Sequence, residues 1–154
     1  MFRSDVQNGM LLIASVAALV AVGIETYIAT VAYPNFARVG AAEFPAFHAF
    51  HSERITFSIG PALLIAAFAN AALAFDRPRG VPMWLPLAAA GAGVLVLGIT
   101  AFVQVPIHSD LSARGYDAIA IARLNANEPA RAVATFAQAA CDVAMLAIVL
   151  RART

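Results

Sequence analysis

Lysine is absent from the sequence, cysteine occurs once, and only 12% of the 154 residues are charged, against about 25% in soluble domains. Ten arginines and nine acidic residues give a net charge of +1, so no basic surface for nucleic acid is expected. Cys141 has no second cysteine with which to form a disulfide within the chain. The chain also lacks the GxSxG, P-loop, CxxC and dinucleotide-binding motifs, which disfavours hydrolase and nucleotide-dependent chemistry.

Apolar residues dominate: they make up 62% of the sequence, and the mean hydropathy is +0.79. Four apolar stretches of roughly bilayer-spanning length can be laid along the chain. We therefore predict an all-α integral membrane four-helix bundle, mostly antiparallel, which forms a single membrane domain over residues 1–154. The predicted spans are about 9–33, 44–75, 83–107 and 129–150, and the alternating segment "YDAIAIARL" predicts a short interfacial helix before the last span.

The ends of the spans give weak signals for orientation. Arg3 ahead of an apolar segment is similar to a secretory signal, but the apolar run continues to a full span and three more follow, so we interpret it as span one. The arginines divide evenly between the two faces, with Arg151 and Arg153 on the face of the N-terminus. We favour a cell-membrane location with both termini in the cytoplasm. Gly91 and Gly93 permit close helix contacts, including those of a homo-oligomer.

Ionisable residues concentrate at one membrane face. Glu25 lies about 12 Å inside the end of span one, where an isolated charge costs about 2.5–3.5 kcal/mol. His48 and His51, spaced i and i+3, share a helix face, and Arg54 follows one turn later on that side. His108 ends span three at the same membrane face. These groups predict a polar cavity inside the bundle at that leaflet.

Span four carries a polar stripe with helical spacing, which cannot face lipid. Its members are Asn125, Glu128, Arg131, Thr135, Gln138 and Asp142. We expect Arg131 to meet Glu25 or Glu128 inside the bundle, and Asp142, the deepest member, to be protonated or hydrogen-bonded. The tyrosines and phenylalanines at this face (Tyr27, Tyr33, Phe44, Phe47, Phe50) are interpreted as an interfacial belt and core, with Phe47 and Phe50 also lining an entrance for a flat lipophilic ligand.

Two interpretations of these polar residues stay open. Glu25, His48, His51 and His108 are candidate metal ligands, a set that suits Fe or Cu and, less well, Zn. Haem is disfavoured because the flanking prolines and short spacing do not clearly present opposed imidazoles. Alternatively, the histidines contact lipid headgroups, and Glu25, Glu128, Arg54 and Arg131 form an ion-pair network that only holds the helices together.

Three segments resemble a family of small four-span membrane proteins that includes the fungal anthrone oxygenases. They are "ETYIATVAYPNFARVGAAEFPAFHAFHSERI" (25–55), "FVQVPIHSDL" (102–111) and "IARLNANEPARAVATFAQA" (121–139). This chain departs from the family pattern at Glu128 and Pro129, where a tryptophan and an aliphatic residue are typical, and at His108, where asparagine is common. The resemblance implies oxygen-dependent oxidation of a polycyclic aromatic anthrone to a quinone, the activity of some members, whereas many bacterial members have no assigned activity.

Together these observations predict a membrane-embedded, oxygenase-like oxidoreductase that acts on a lipophilic aromatic or quinone-type molecule. Arg54 and Arg131 would stabilise an oxyanion, and Gln104 and Tyr27 would orient the substrate. The expected partners are membrane lipid and this small lipophilic ligand. Two alternatives from other classes are a non-catalytic accessory or assembly subunit of a membrane complex, and a small carrier or proton relay that uses Glu25, Asp142 and the histidines.

Overall fold

The computed structural model describes residues 2–152, with side chains described for 4–152. Two of the arginines used to predict the orientation are not fully described: the side chain of Arg3 and the whole of Arg153 lie outside the described residues. The helices are α1 (Phe2–Tyr27), α2 (Tyr33–Phe36), α3 (Phe44–Phe75), α4 (Trp84–Ile99), α5 (Val105–Arg114) and α6 (Ala118–Arg151). Two π-helical segments, Ile28–Ala32 and Thr100–Gln104, join α1 to α2 and α4 to α5.

These elements form four continuous rods, each long and apolar enough to cross a membrane. Span one is Ser4–Phe36, span two Phe44–Phe75, span three Trp84–Arg114 and span four Ala118–Arg151. Each span packs against the next along the chain, and span one also packs against span four, so the four close into a ring. The prediction of an all-α, multi-pass membrane four-helix bundle is confirmed.

The boundaries differ from the predicted ones mainly near prolines. Span two matches the predicted 44–75, whereas spans one and three continue past their predicted ends at Tyr33 and Ile107, next to Pro34 and Pro106. The segment "YDAIAIARL" (116–124) is helical from residue 118, but it forms the first turns of α6 rather than a separate interfacial helix. A prediction that Asn127 caps the last span is therefore wrong: Asp117 caps α6, and its carboxylate accepts hydrogen bonds from the N–H groups of Ile119 and Ala120.

The π-helical segments explain how the chain passes these prolines. Proline lacks the backbone N–H, and its ring clashes with the carbonyl four residues earlier. Immediately before Pro34, the N–H of Tyr33 donates to the carbonyl of Ile28 five residues back, and Val105 donates to Thr100 in the same way before Pro106. The wider π-helical turns accommodate the prolines and change the direction in which the following side chains point. Such turns are often found at functional sites.

Large apolar side chains cover the outside of the rods, as expected for surfaces in contact with lipid. Phe57, Phe68, Phe75 and Phe102 are between 70% and 89% exposed. The inside is packed with small and branched side chains, and among them lie fully buried polar groups from all four spans. In a hydrocarbon environment such groups have no water to satisfy them, so their partners must be found within the bundle.

Candidate functional site

The first buried group, which we name the ion cluster, consists of Glu25, Gln104, Glu128 and Arg131. All four side chains are at most 3% exposed. Arg131 Nε lies 2.9 Å from Glu25 Oε1, and Arg131 Nη2 lies 3.0 Å from both oxygens of Glu128. Gln104 Nε2 donates to Glu128 Oε2 over 3.2 Å. The Arg131 guanidinium thus joins spans one and four, as expected from the stripe on span four, and Glu128 joins span four to Gln104 on span three.

The charges in the ion cluster do not cancel. Two carboxylates face one guanidinium, so the formal charge is −1 when all three groups are ionised. The Nε–H of Arg131 is not directed along the line to Glu25, so that contact is an ion pair without good hydrogen-bond geometry. Glu25 Oε2 has no hydrogen-bond partner within residues 4–152. A buried net charge is costly, and the cluster therefore favours uptake of a proton or of a ligand that supplies a hydrogen-bond donor.

The second group, the histidine cluster, consists of His48, His51 and His108 arranged around Phe36. The edge of the Phe36 ring meets all three imidazoles at centroid distances of 4.9–6.0 Å. His108 is nearly parallel to both His48 and His51, with centroids 5.1 and 6.0 Å apart. Spans two and three thus bring the three histidines into direct contact, in line with the prediction that these residues lie at the same end of the bundle.

A chain of hydrogen bonds runs through this cluster. Ser112 Oγ lies 3.4 Å from His48 Nδ1, His48 Nε2 lies 2.9 Å from His108 Nδ1, and His108 Nε2 lies 3.1 Å from the Tyr33 hydroxyl. Each of these two imidazoles uses both of its nitrogens, and a neutral imidazole donates with one and accepts with the other. The chain can therefore be polarised in either direction, towards Tyr33 or away from it. Such an arrangement can pass a proton along its length.

A cavity of about 170 Å³ lies between the two clusters. Its polar end is formed by Tyr33, Gln104, His108 and Arg131. The rest of its wall is mostly apolar, and includes Ile28, Ile55, Ile59, Gly60, Leu63 and Val105. Both π-helical segments contribute residues to this wall, so the irregular turns before Pro34 and Pro106 shape the cavity. An apolar cavity with a few convergent polar groups is the usual form of a small-molecule site.

The cavity is small but adjoins a larger one. An enclosed apolar space of about 150 Å³ holds one benzene ring. A second cavity of about 260 Å³, between spans two and three, shares Ile55, Thr56, Val105 and His108 with the first. Only the two together approach the roughly 300–1,000 Å³ of sites for larger ligands. The polar end can therefore hold one ring of an aromatic molecule while the remainder extends between spans two and three.

Tyr27 and Arg54, both predicted to act on the substrate, lie elsewhere. They line a third cavity of about 260 Å³ between spans one and two, together with Phe47, Phe50 and His51. Arg54 is exposed, and its guanidinium lies 5.4 Å from the centre of the Phe50 ring, a cation–π contact. Ile55 lines both this third cavity and the cavity between the two clusters. Of the four predicted substrate-contacting residues, only Gln104 and Arg131 line the cavity between the clusters.

The proposed metal ligands are also divided. Glu25 belongs to the ion cluster, whereas His48 and His108 bond to each other and His108 bonds to Tyr33. Over residues 4–152, no group of three or more His, Cys, Asp or Glu side chains has a geometry that could hold a metal ion. The described side chains as placed do not bring three such donors together. The metal site at Glu25, His48, His51 and His108 stays a prediction.

Two residues of the site are not among the predicted site residues. Tyr33, predicted for the aromatic belt and core, is 3% exposed and joins the histidine cluster to the cavity. Ser112 lies beyond the predicted end of span three and is hydrogen-bonded to His48. The sequence signal for Tyr33 is the Tyr-Pro pair at residues 33 and 34. A π-helical turn before a proline rotates the adjacent side chain to a helix face different from the one that the regular 3.6-residue period predicts.

Comparisons with protein-family models, with curated proteins and with solved structures found no significant match to this chain. The resemblance to the anthrone oxygenase family therefore stays a prediction, and the function must be argued from the site itself.

Proposed function

We propose that the protein binds a lipophilic aromatic or quinone-type molecule in the cavity between the ion and histidine clusters and removes a proton from it. The observation that carries this proposal is the cavity itself: apolar walls lead to an end where Tyr33, Gln104, His108 and Arg131 converge. A ligand with a ring system and one acidic hydroxyl or carbonyl oxygen matches that pattern. Entry would occur from the lipid, between spans two and three.

Charge stabilisation would come from Arg131. A phenolate or enolate oxygen placed at the polar end of the cavity lies beside a guanidinium that is 3% exposed, in surroundings where charge interactions are strong. Gln104 is suited to orient the ligand, because its Oε1 is buried without a partner within residues 4–152 and can accept from a second ligand hydroxyl, one that stays protonated. Arg131 already faces two carboxylates, so it would favour the deprotonated form of the ligand when one of Glu25 and Glu128 holds a proton and the ion cluster is neutral.

The proton would leave through the hydrogen-bonded chain. Tyr33 contacts both the cavity and His108, and His108 contacts His48, which in turn meets Ser112. Ser112 is exposed and close to the end of span three, so it offers an exit towards the membrane surface. A proton passed stepwise from Tyr33 towards Ser112 would leave the anion beside Arg131.

Oxidation is the finer part of the proposal and depends on the resemblance given above. A ring methylene whose proton has been removed is electron-rich, and dioxygen would be the electron acceptor. In a balanced reaction, one methylene group and one molecule of dioxygen give one ketone carbonyl and one molecule of water. One oxygen atom enters the carbonyl, and the other leaves as water with the two methylene hydrogens. We further propose a location in the cell membrane with both termini in the cytoplasm.

The test uses Gly60, whose added Cβ would meet no atom within 4 Å although the residue lines the cavity. Gly60→Val should reduce the volume of the cavity, because the first carbon of the added side chain meets open space. Gly98→Val is the matched control, because Gly98 is also helical with open space around it and does not line this cavity. The probes are a hydroxynaphthoquinone, whose absorbance reports deprotonation, and anthrone, with oxygen consumption and anthraquinone as readouts.

We expect the purified protein in lipid nanodiscs to shift the bound hydroxynaphthoquinone spectrum towards that of the anion. Gly60→Val should abolish the shift and Gly98→Val should keep it, while Tyr33→Phe should keep binding but slow proton release. Binding that Gly60→Val leaves unchanged would contradict the cavity assignment. Binding without oxygen consumption would limit the protein to a carrier, and no binding of either probe would favour the accessory-subunit alternative.

The metal prediction has its own test. Elemental analysis of protein purified without chelators would measure stoichiometric Fe or Cu, and a His48→Ala/His51→Ala double variant should lose it. A metal-free preparation that folds and binds the probe would remove the metal from the proposal while leaving the proton chemistry intact.

A further inference from the structure

A second buried polar site, which we name the deep pair, lies in the opposite half of the bundle. It consists of Asn70 on span two and Asp142 on span four, both 0% exposed. Asp142 is eleven residues beyond Arg131 on one continuous helix, which corresponds to about 16 Å along its axis. Leu73 and Met145, each one turn from the pair, belong to an apolar core cluster. The deep pair is therefore separate from the cavity described above and does not depend on its function.

The two hydrogen bonds that Asn70 Nδ2 donates fix the orientation of its side-chain amide. Asn70 Nδ2 donates to the carbonyl of Ala66 over 3.0 Å and to Asp142 Oδ2 over 3.2 Å. A rotated amide would place its oxygen against a carbonyl and a carboxylate, both of which are acceptors. Both amide hydrogens are therefore used, and Oδ1 remains as a free acceptor.

This orientation leaves two acceptors without a donor. Asn70 Oδ1 and Asp142 Oδ1 are both buried and have no hydrogen-bond partner among the described side chains and backbone. An ionised carboxylate with a single amide partner in the hydrocarbon region is strongly disfavoured. The two oxygens belong to groups that already meet through their other atoms, so one bridging hydrogen satisfies both.

We propose that Asn70 and Asp142 form a buried proton-binding site, in which Asp142 is a carboxylic acid whose Oδ1–H donates to Asn70 Oδ1. With Nδ2–H donating to Oδ2 in return, the acid and the amide close a cyclic pair with two parallel hydrogen bonds. Every polar atom of the pair then has a partner and the site is electrically neutral. This removes the cost that an unpaired charge would carry at this depth.

A metal cation is the competing occupant, and the surrounding groups do not favour it. Hard cations are held by a shell of several oxygen ligands, whereas the deep pair offers two free oxygens. The nearest polar neighbour on span four is Gln138, one turn earlier, and its buried Nε2 is a donor without an acceptor among the described residues. A donor group repels a cation, so a proton fits the site better.

Infrared spectroscopy tests the proposal directly. At neutral pH the protein should show a protonated-carboxyl C=O stretching band that shifts in heavy water. In the difference spectrum between the wild type and Asp142→Asn, this acid band should be lost with no loss of carboxylate bands. Asp110→Asn is the matched control, because Asp110 is exposed and paired with Arg114 at 2.9 Å, so its difference spectrum should lose carboxylate bands instead.

Two further measurements keep the proposal open to contradiction. Asn70→Leu should move the acid band to higher frequency, because the acid loses its acceptor. Asp142→Asn should fold with an unchanged or higher unfolding temperature, since an amide N–H replaces the acid O–H, whereas Asp142→Leu should lower it. Loss of carboxylate bands in Asp142→Asn, carboxylate bands that respond to sodium but not to choline, or failure of Asp142→Asn to fold would each overturn the proton assignment.

Discussion

The two halves of the bundle bury polar side chains to the same degree but satisfy them differently. Around the ion and histidine clusters, charges are paired across the bundle, two prolines are accommodated by π-helical turns, and a cavity lies in between. At the deep pair, one amide and one carboxyl meet within helices of regular geometry. The difference shows that irregular backbone is found where a cavity lies between the helices, while the deep pair fits between helices of regular geometry.

The largest effect should come from removing the one cation of the ion cluster. Arg131→Met leaves Glu25 and Glu128 without their counter-charge, and breaking a buried ion pair on one side costs about 3–5 kcal/mol. Arg123→Met is the matched control, because Arg123 is exposed on the same helix and should change stability by about 0.5 kcal/mol or less. Unfolding in mixed detergent micelles measures both. Equal losses would mean that the ion cluster does not hold the bundle together.

Removing the carboxylates tests how the cluster shares its charge. Glu25→Gln or Glu128→Gln alone leaves Arg131 one carboxylate, and each also lowers the excess negative charge, so each should cost little. The double variant leaves a buried guanidinium unpaired and should be less stable than the sum of the singles by about 0.5–3 kcal/mol. A double-mutant cycle of unfolding free energies gives this coupling. Additive effects would show that the two carboxylates act independently.

Gly93 on span three allows span four to pack closely near the deep pair. A Cβ on Gly93 would lie 2.8 Å from Gln138 Nε2, whereas a Cβ on Gly91 would meet nothing within 4 Å. Both substitutions to alanine change helix propensity equally, so the difference between them isolates the overpacking, which costs about 1–3 kcal/mol. We expect Gly93→Ala to be the less stable by that amount. Equal stabilities would indicate that Gln138 moves aside freely.

The smallest effect should come from the start of span four. Asp117→Ala removes the cap of α6 and should cost about 1 kcal/mol. Asp110→Ala breaks only an exposed pair with Arg114, which is worth about 0.3–0.5 kcal/mol. Amide hydrogen exchange should show faster opening of residues 118–125 in Asp117→Ala, with the turns around Asp142 unchanged. Faster exchange along the whole helix would show that the two halves of the bundle open together.

The inward stripe on span four was the most reliable part of the site prediction. Five of its six members, Glu128, Arg131, Thr135, Gln138 and Asp142, are each at most 3% exposed, and Asn125 at its start is partly buried. Polar residues at helical spacing can avoid lipid in only one way. The positions of Tyr27 and Arg54 could not be predicted in the same way, since these residues line a separate cavity between spans one and two. The periodicity of polar residues predicts which face of a helix is buried, but it does not predict which neighbouring helix packs against that face.

The sequence by itself determined the number of spans, their all-helical form and the inward direction of the polar stripe, because burial in hydrocarbon leaves few alternatives to a helix with its polar face turned inward. Only the tertiary structure decided that Glu25 meets Arg131, that His108 meets Tyr33, and that Asn70 meets Asp142. These contacts join residues far apart in the chain, and they depend on how the four spans pack against one another, which no local sequence pattern records.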